Sequence, residues 1–190
     1  MGHTQESGIN SSAKRLEILR EVVPTVARVA FLWNPTNLSH VTHLADIQGA
    51  AKALGVQLIS VEVSRPDEFE HALAAMLRDS PDALIMTADP MHQLQAGRIV
   101  DFASTHRLPT MHQLREHVVA GGLISYGASL PELMRRGAVY VHRILQGTKP
   151  ADLPVERPMK FELVINLKTA HALGLTVPPT ILFQADEVLR

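Results

Sequence analysis

Four short polar sets recur along this sequence. They are Asn34, Thr36, Asn37 and Ser39; Thr87 and Asp89, followed by His92 and Gln93; His112, Gln113 and Glu116; and Ser125 with Tyr126. Amide, hydroxyl and carboxylate groups of this kind give and take hydrogen bonds without breaking covalent ones, which suits them to holding a small polar solute. Taken alone, each set also reads as turn or cap chemistry, because Asn-Pro, Asp-Pro and Ser-Tyr-Gly are ordinary chain-reversal signals. The case for a site rests on all of them falling at one edge of one sheet.

Templates for bond-making chemistry are missing. No Gly-x-Gly-x-x-Gly or Walker loop offers a phosphate cradle, and no Gly-x-Ser-x-Gly elbow presents a nucleophile. The chain has no Cys, which removes thiolate metal sites, a Cys nucleophile and a disulfide framework. Of its ten His, His40 and His43 stand at i,i+3 and could share a helix face, yet no third ligand follows at metal-motif spacing. The histidines therefore read as surface or interface residues. Asp89 and Glu116 are a formal carboxylate pair, but nothing in the sequence brings them to working distance. No catalytic residue, no metal and no cofactor is expected.

The elements that must position these groups follow from hydrophobic pattern. Val29 to Trp33 is an apolar run between Pro24 and Asn-Pro-Thr-Asn, the mark of a buried strand, over 28–33, that ends in a polar loop. A helix over 38–54 follows, with Leu44, Ile47 and Ala51 on one face and Gly55 as its left-handed cap. Further strands are expected at 56–63, 82–88, 108–112 and 123–127. Helices are expected from Ser11 or Ser12 to Val23, from Ser64 to Arg78, and over 91–106 and 130–146; Gln113 to Gly122 reads as a loop or single helical turn. Residues 1–11 read as an irregular tail. Beyond Gly147 the pattern loosens into a Pro-rich connector, an extended strand or hairpin from Val155 to Ile165, a short helix over 167–173 capped by Asn166, and a helix-like turn from Ile181 to Leu189. Strands alternating with helices give an α/β fold, a doubly wound parallel sheet, whose polar loops line up at the carboxyl ends of the strands. Trp33 is expected in the core and Tyr126 in the cleft.

With 190 residues, 46% hydrophobic content and a formal charge of -1, the chain can build one core and shows no basic surface for nucleic acid. The polar N-terminus carries no signal-peptide pattern, and no apolar run reaches the ~20 residues of a membrane span.

Lys14-Arg-Leu-Glu-Ile-Leu19, Arg28-Val-Ala-Phe-Leu-Trp-Asn-Pro35, Gly121-Gly-Leu-Ile-Ser-Tyr-Gly127 and the tail from Gly147 to Pro179 resemble the ABC-transporter substrate-binding proteins of the type 1 periplasmic-binding fold. The resemblance implies a non-catalytic receptor, periplasmic or lipid-anchored, that traps a small solute such as an amino acid between two α/β lobes and presents it to an ABC permease. It implies ligand contacts at Asn34, Thr36, Asn37, Asp89, Gln113, Glu116 and Tyr126. It also implies a division into 1–27 (remnant of the inter-lobe crossover plus a helix), 28–129 (the ligand-binding lobe) and 130–190 (crossover helix and tail), the first lobe being largely missing. Leu133, Val139, Val141, Ile144 and Leu145 would then lack their usual cover, and a homodimer is expected to bury them. A ligand-sensing or regulatory domain on the same layout is the alternative; an enzyme is less favoured.

Overall fold

The computed structural model describes residues 11–155 and 161–190. Helix α1 (Ser11–Val22) leads into β1 (Arg28–Trp33), α2 (Leu38–Leu54), β2 (Gln57–Glu62), α3 (Phe69–Arg78) and β3 (Ala83–Met86). Then come α4 (Pro90–Leu94), α5 (Ala96–Thr105), β4 (Thr110–His112), α6 (Arg115–Val119), β5 (Ile124–Ala128) and α7 (Leu130–Leu145). The chain finishes with β6 (Phe161–Asn166), α8 (Leu167–Leu173), α9 (Pro179–Gln184) and β7 (Glu187–Leu189). The described residues form a seven-stranded sheet in the order β2-β1-β3-β4-β5-β6-β7.

The first five strands are parallel, as the alternating pattern requires. Two apolar layers cover the sheet. On one face Leu16 and Leu19 of α1 and Ile47 and Ala51 of α2 pack on Val29, Phe31, Ile85 and Ile124, joined by Ala170 and Ile181. On the other, Phe69, Leu73 and Met76 of α3 and Ile99 and Ala103 of α5 pack on Ala30, Leu32, Leu84 and Met86. Strand β1 feeds both layers, so its residues from Val29 to Trp33 are all buried. Trp33 is in the core as expected, its indole N–H donating to Ser60 Oγ at 2.8 Å. Gly55 caps α2 at φ 68°, where a side chain would be strained.

Three local differences have physical causes. The helix expected over 91–106 breaks at Gln95 (φ −103°, ψ 9°), which lets α4 bury His92 while α5 turns Ile99, Val100 and Ala103 onto the sheet. Strand β6 runs antiparallel to β5. A parallel crossover needs its helix to pack back on the sheet, and α7 buries none of its residues. The C-terminus forms strand β7 rather than continuing as a helical turn. Pairing with β6 and a two-point ion pair from Arg115 to Glu187 (2.6 and 2.7 Å) outweigh local preference there. Of the tail expected over 1–11, all but Ser11 lies outside the described residues, as does the 156–160 part of the extended stretch expected from Val155.

Gly127 has a role that only its missing side chain allows: a Cβ there would lie 1.9 Å from the carbonyl oxygen of Gln113. Gly127→Ala is expected to destabilise the fold by about 1–3 kcal/mol through overpacking. Gly137, in α7 with nothing within 4 Å, gives the opposite sign: Gly137→Ala should gain about 0.5–1 kcal/mol from helix propensity. Urea unfolding of both variants checks the pair.

Candidate functional site

Parallel strands bring the loops after β1, β3 and β4 to one sheet edge, and their polar side chains bond to one another there. Asn34 Oδ1 accepts from the Thr36 N–H (3.0 Å) and hydroxyl (2.8 Å), closing the loop after β1 on itself. Asn37 caps α2, its Oδ1 accepting from the Ser39 N–H at 3.2 Å. The amide groups of both asparagines point across to the loop after β3. Asn34 Nδ2 donates to Asp89 Oδ2 at 3.3 Å and Asn37 Nδ2 to the same oxygen at 3.1 Å. Asp89 Oδ1 accepts from the Met91 N–H at 3.0 Å.

The Ala88 peptide between these loops is held from both sides. Its N–H donates to Gln113 Oε1, after β4, at 3.1 Å. Its carbonyl lies 3.0 Å from His40 Nε2, and His40 Nδ1 accepts the Asn34 N–H at 3.0 Å. This pattern assigns His40 as the neutral tautomer with its proton on Nε2. The Thr87 hydroxyl stands 3.3 Å from His40 Nδ1 and 3.2 Å from the Leu32 carbonyl. His40 is fully enclosed.

Asn34, Thr36, Asn37, Asp89 and Gln113 are therefore brought together. Glu116 is exposed and makes no pair with Asp89; with Gln113 and Ser125 it lines a shallow crevice at the rim. Tyr126 is turned away from the polar loops. It packs with the α1 face of the sheet, its ring stacked on Phe161 at 5.5 Å. Larger concavities lie elsewhere: a groove of about 620 Å3 between β2 and α3 that touches the polar loops only at Pro35, and one of about 530 Å3 at the opposite sheet edge. Within the polar cluster Asn34 and Asp89 are themselves buried, while Gln113 is partly exposed and Thr36 exposed.

The reading of the histidines as surface or interface residues holds for the exposed His71, His106, His142 and His171 and is corrected at four others. His40, His92, His112 and His117 are all buried. His40 stacks with His43 (6.0 Å) and His92 (6.1 Å), and His112 with His117 (5.1 Å). His92 Nδ1 donates to the Thr87 carbonyl at 3.0 Å. Its Nε2 and both ring nitrogens of His112 have no hydrogen-bond partner among the described residues. No spacing signal marks such burial, because a histidine in a helix start looks the same in the sequence whichever way the helix turns it. Among the described residues no cluster of three or more His, Asp or Glu could hold a metal, and no helix is long and apolar enough to cross a membrane.

Protonation states follow from these surroundings. Burial works against the charge of Asp89, but the donors on Asn37 and Met91, the nearby His92 and the Asn34 amide outweigh it and hold the carboxyl below its usual range. A carboxylate offers about four lone-pair sites. Three donors occupy Asp89, which leaves one lone-pair site without a donor among the described residues. Burial depresses His92, His112 and His117, and holds His43 down at about 4, with Arg15 and His40 adding and Asp46 opposing.

The family model for ABC transporter substrate binding proteins matches residues 5–189. No curated protein sequence matches the chain. Among solved structures, the ABC domain in complex with L-Trp from Streptococcus pneumonia superposes with a TM-score of 0.87 at 23% identity, over 94% of this chain and 60% of that one. A conserved domain protein from Vibrio cholerae gives 0.85 at 22%, over 93% and 60%. The ligand-free, open substrate binding protein with adhesive properties from Clostridium difficile gives 0.68 at 18%, over 93% and 59%. The chain thus spans about 60% of the length of the first two. These likenesses show a shared fold.

The buried neutral histidines make stability depend on pH. Their folded pKa values lie below the unfolded 6.5, so below 6.5 the unfolded chain binds more protons and stability falls with pH, down to about 4 for His43. Melting temperature should drop between pH 7.5 and 5.5. His112 alone would contribute up to about 1.4 kcal/mol per pH unit, and His112→Leu should flatten the slope; an unchanged slope contradicts this assignment.

Proposed function

The chain belongs to the ABC transporter substrate binding protein family, and from that premise we propose that it is the solute-holding part of a non-catalytic receptor for an ABC import system. The observation that carries this reading is the convergence of Asn34, Thr36, Asn37, Asp89 and Gln113 at the carboxyl edge of a parallel sheet, where ligands of open α/β sheets sit. Glu116 is proposed as a rim contact. The solute is a small amine-bearing molecule of the amino-acid class. Asp89 is the ionised acceptor for its ammonium group, and the asparagine amides and Thr36 hydroxyl are neighbouring polar contacts. The solved relative with L-Trp bound supports that class. An extracytoplasmic location and an ABC permease partner go with this role.

An open half-site binds weakly until another surface closes over it. Helix α7 is read as a contact face for such an assembly. It buries none of its residues and leaves Met134, Val141 and Leu145 more than half exposed. Apolar area of this kind favours association, and a second copy of the chain is the proposed occupant.

A thermal-shift screen of the twenty L-amino acids should find at least one that raises Tm, and that compound should be recovered chemically unchanged. Asp89→Asn should weaken it roughly tenfold or more, since a charge-assisted contact is lost. No response to any amino acid removes the amino-acid reading; turnover removes the receptor reading. Light scattering should show a dimer that Met134→Glu with Leu145→Glu converts to a monomer, and a wild-type monomer contradicts the proposed contact.

A further inference from the structure

Helix α1 runs antiparallel to β1, to which a short turn joins it, so its first residues stand at the carboxyl edge of the sheet. Helical side chains lean toward the N-terminus, and Arg15 does so here. Its Nη2 donates to Ser11 Oγ at 3.1 Å and to Ser12 Oγ at 3.2 Å. The guanidinium is thereby drawn toward the first turn of the helix. Arg15 is 1% exposed, and its Nε and Nη1 have no hydrogen-bond partner among the described residues.

No described carboxylate pairs with this cation. The groups that sense its charge are His43, on the first turns of α2, and Tyr126, near the end of β5. His43 stays neutral because of burial, Arg15 and His40. Burial lowers Arg15 itself to about 10, against the opposing effect of Tyr126, so it remains charged at neutral pH. A buried cation with three of its five N–H donors idle is costly, by several kcal/mol. Where the chain has kept one at a binding edge, a ligand that brings the counter-charge recovers that cost on binding.

We propose that Arg15 is an anion subsite on the solute-binding edge, which takes a carboxylate of the solute between His43 and Tyr126. These two flanking side chains are only partly buried, and because Arg15 itself is enclosed they must part to admit the carboxylate. The arrangement joins the polar cluster directly, since the His43 ring stacks on His40, whose two nitrogens bond at Asn34 and Ala88. The edge then has an acceptor pole at Asp89 and a donor pole at Arg15, and it selects solutes with a free acid over their amides or esters. Guanidinium suits a planar carboxylate in this role better than an ammonium would. The subsite rests on the reading of this edge as the solute face, and it assigns Tyr126 a flanking position there although the ring lies apart from the loop cluster.

Acetate is the minimal probe. Tm of the wild type is measured in sodium acetate and in sodium chloride at equal ionic strength and pH 7.5, alongside Arg15→Met, and the Arg15 Nε–H resonance is followed by NMR during acetate titration. The wild type should melt higher in acetate than in chloride, and the Arg15 resonance should move and saturate. Arg15→Met should melt higher than the wild type in chloride, because the buried charge is gone, and should show no acetate response. Any amino acid that binds the wild type should lose roughly tenfold or more in affinity for Arg15→Met, and its amide derivative should lose as much on the wild type. An Arg15 resonance that acetate leaves in place overturns the subsite, even if Arg15→Met fails to fold. So does an Arg15→Met protein that responds to acetate like the wild type. A wild type that responds to acetate but to no amino acid keeps the subsite and removes the amino-acid reading; the reverse keeps that reading and removes the subsite.

Discussion

The Ala88 peptide is the point on which this sheet edge depends. Its carbonyl is taken by His40 from the α2 side and its N–H is taken by Gln113 from the β4 side. Because β3 lies between β1 and β4 in the sheet, these two bonds tie three neighbouring loops into one unit. His40 does more than accept a position: one nitrogen receives the Asn34 N–H and the other serves Ala88, so the imidazole fixes the spacing of the loops that carry Asn34 and Asp89. The amides of Asn34 and Asn37 then meet on a single Asp89 oxygen. Gly127 secures the far end, since any side chain there would collide with the Gln113 carbonyl. Preorganisation of this kind lowers the ordering cost of binding.

Electrostatics at the edge are unbalanced in an informative way. Asp89 is kept ionised by donors that the chain itself supplies. The histidines beneath it are kept neutral by burial, and Arg15 is kept charged without a described counter-ion. Stability alone would favour apolar groups in several of these places. Local cost of this sort concentrates where a protein binds or acts. Its form here is that of fixed donors and acceptors gathered at one sheet edge.

Much of the fold was legible because period and punctuation agreed. Arg28–Trp33, Leu38–Leu54 with Gly55, and Leu167–Leu173 behind Asn166 follow the expected bounds, since each is an apolar run or stripe closed by a cap. The break at Gln95, the antiparallel β6 and the strand Glu187–Leu189 were not legible, because tertiary contacts decide them. The loop residues Asn34, Thr36, Asn37, Asp89 and Gln113 could be found from their place after strands. Their partner His40 could not: its i,i+3 relation to His43 is visible in the sequence, but the direction in which the helix turns it depends on the packing of α2. For Tyr126 the place along the chain was legible but the face was not. It lies near the end of β5, but on the same face as Ile124, so the strand's two-residue period sends its ring toward α1.

Amide chemical-shift mapping tests the central claim most directly. The protein is titrated with an amino acid that raises its Tm, and the backbone N–H resonances are followed. The account predicts that the largest changes cluster at Asn34, Thr36, Asn37, Ala88 and Asp89, and reach Gln113 through the shared Ala88 peptide. Changes confined to the groove between β2 and α3, around Ile59 and His71, would place the solute elsewhere and contradict it.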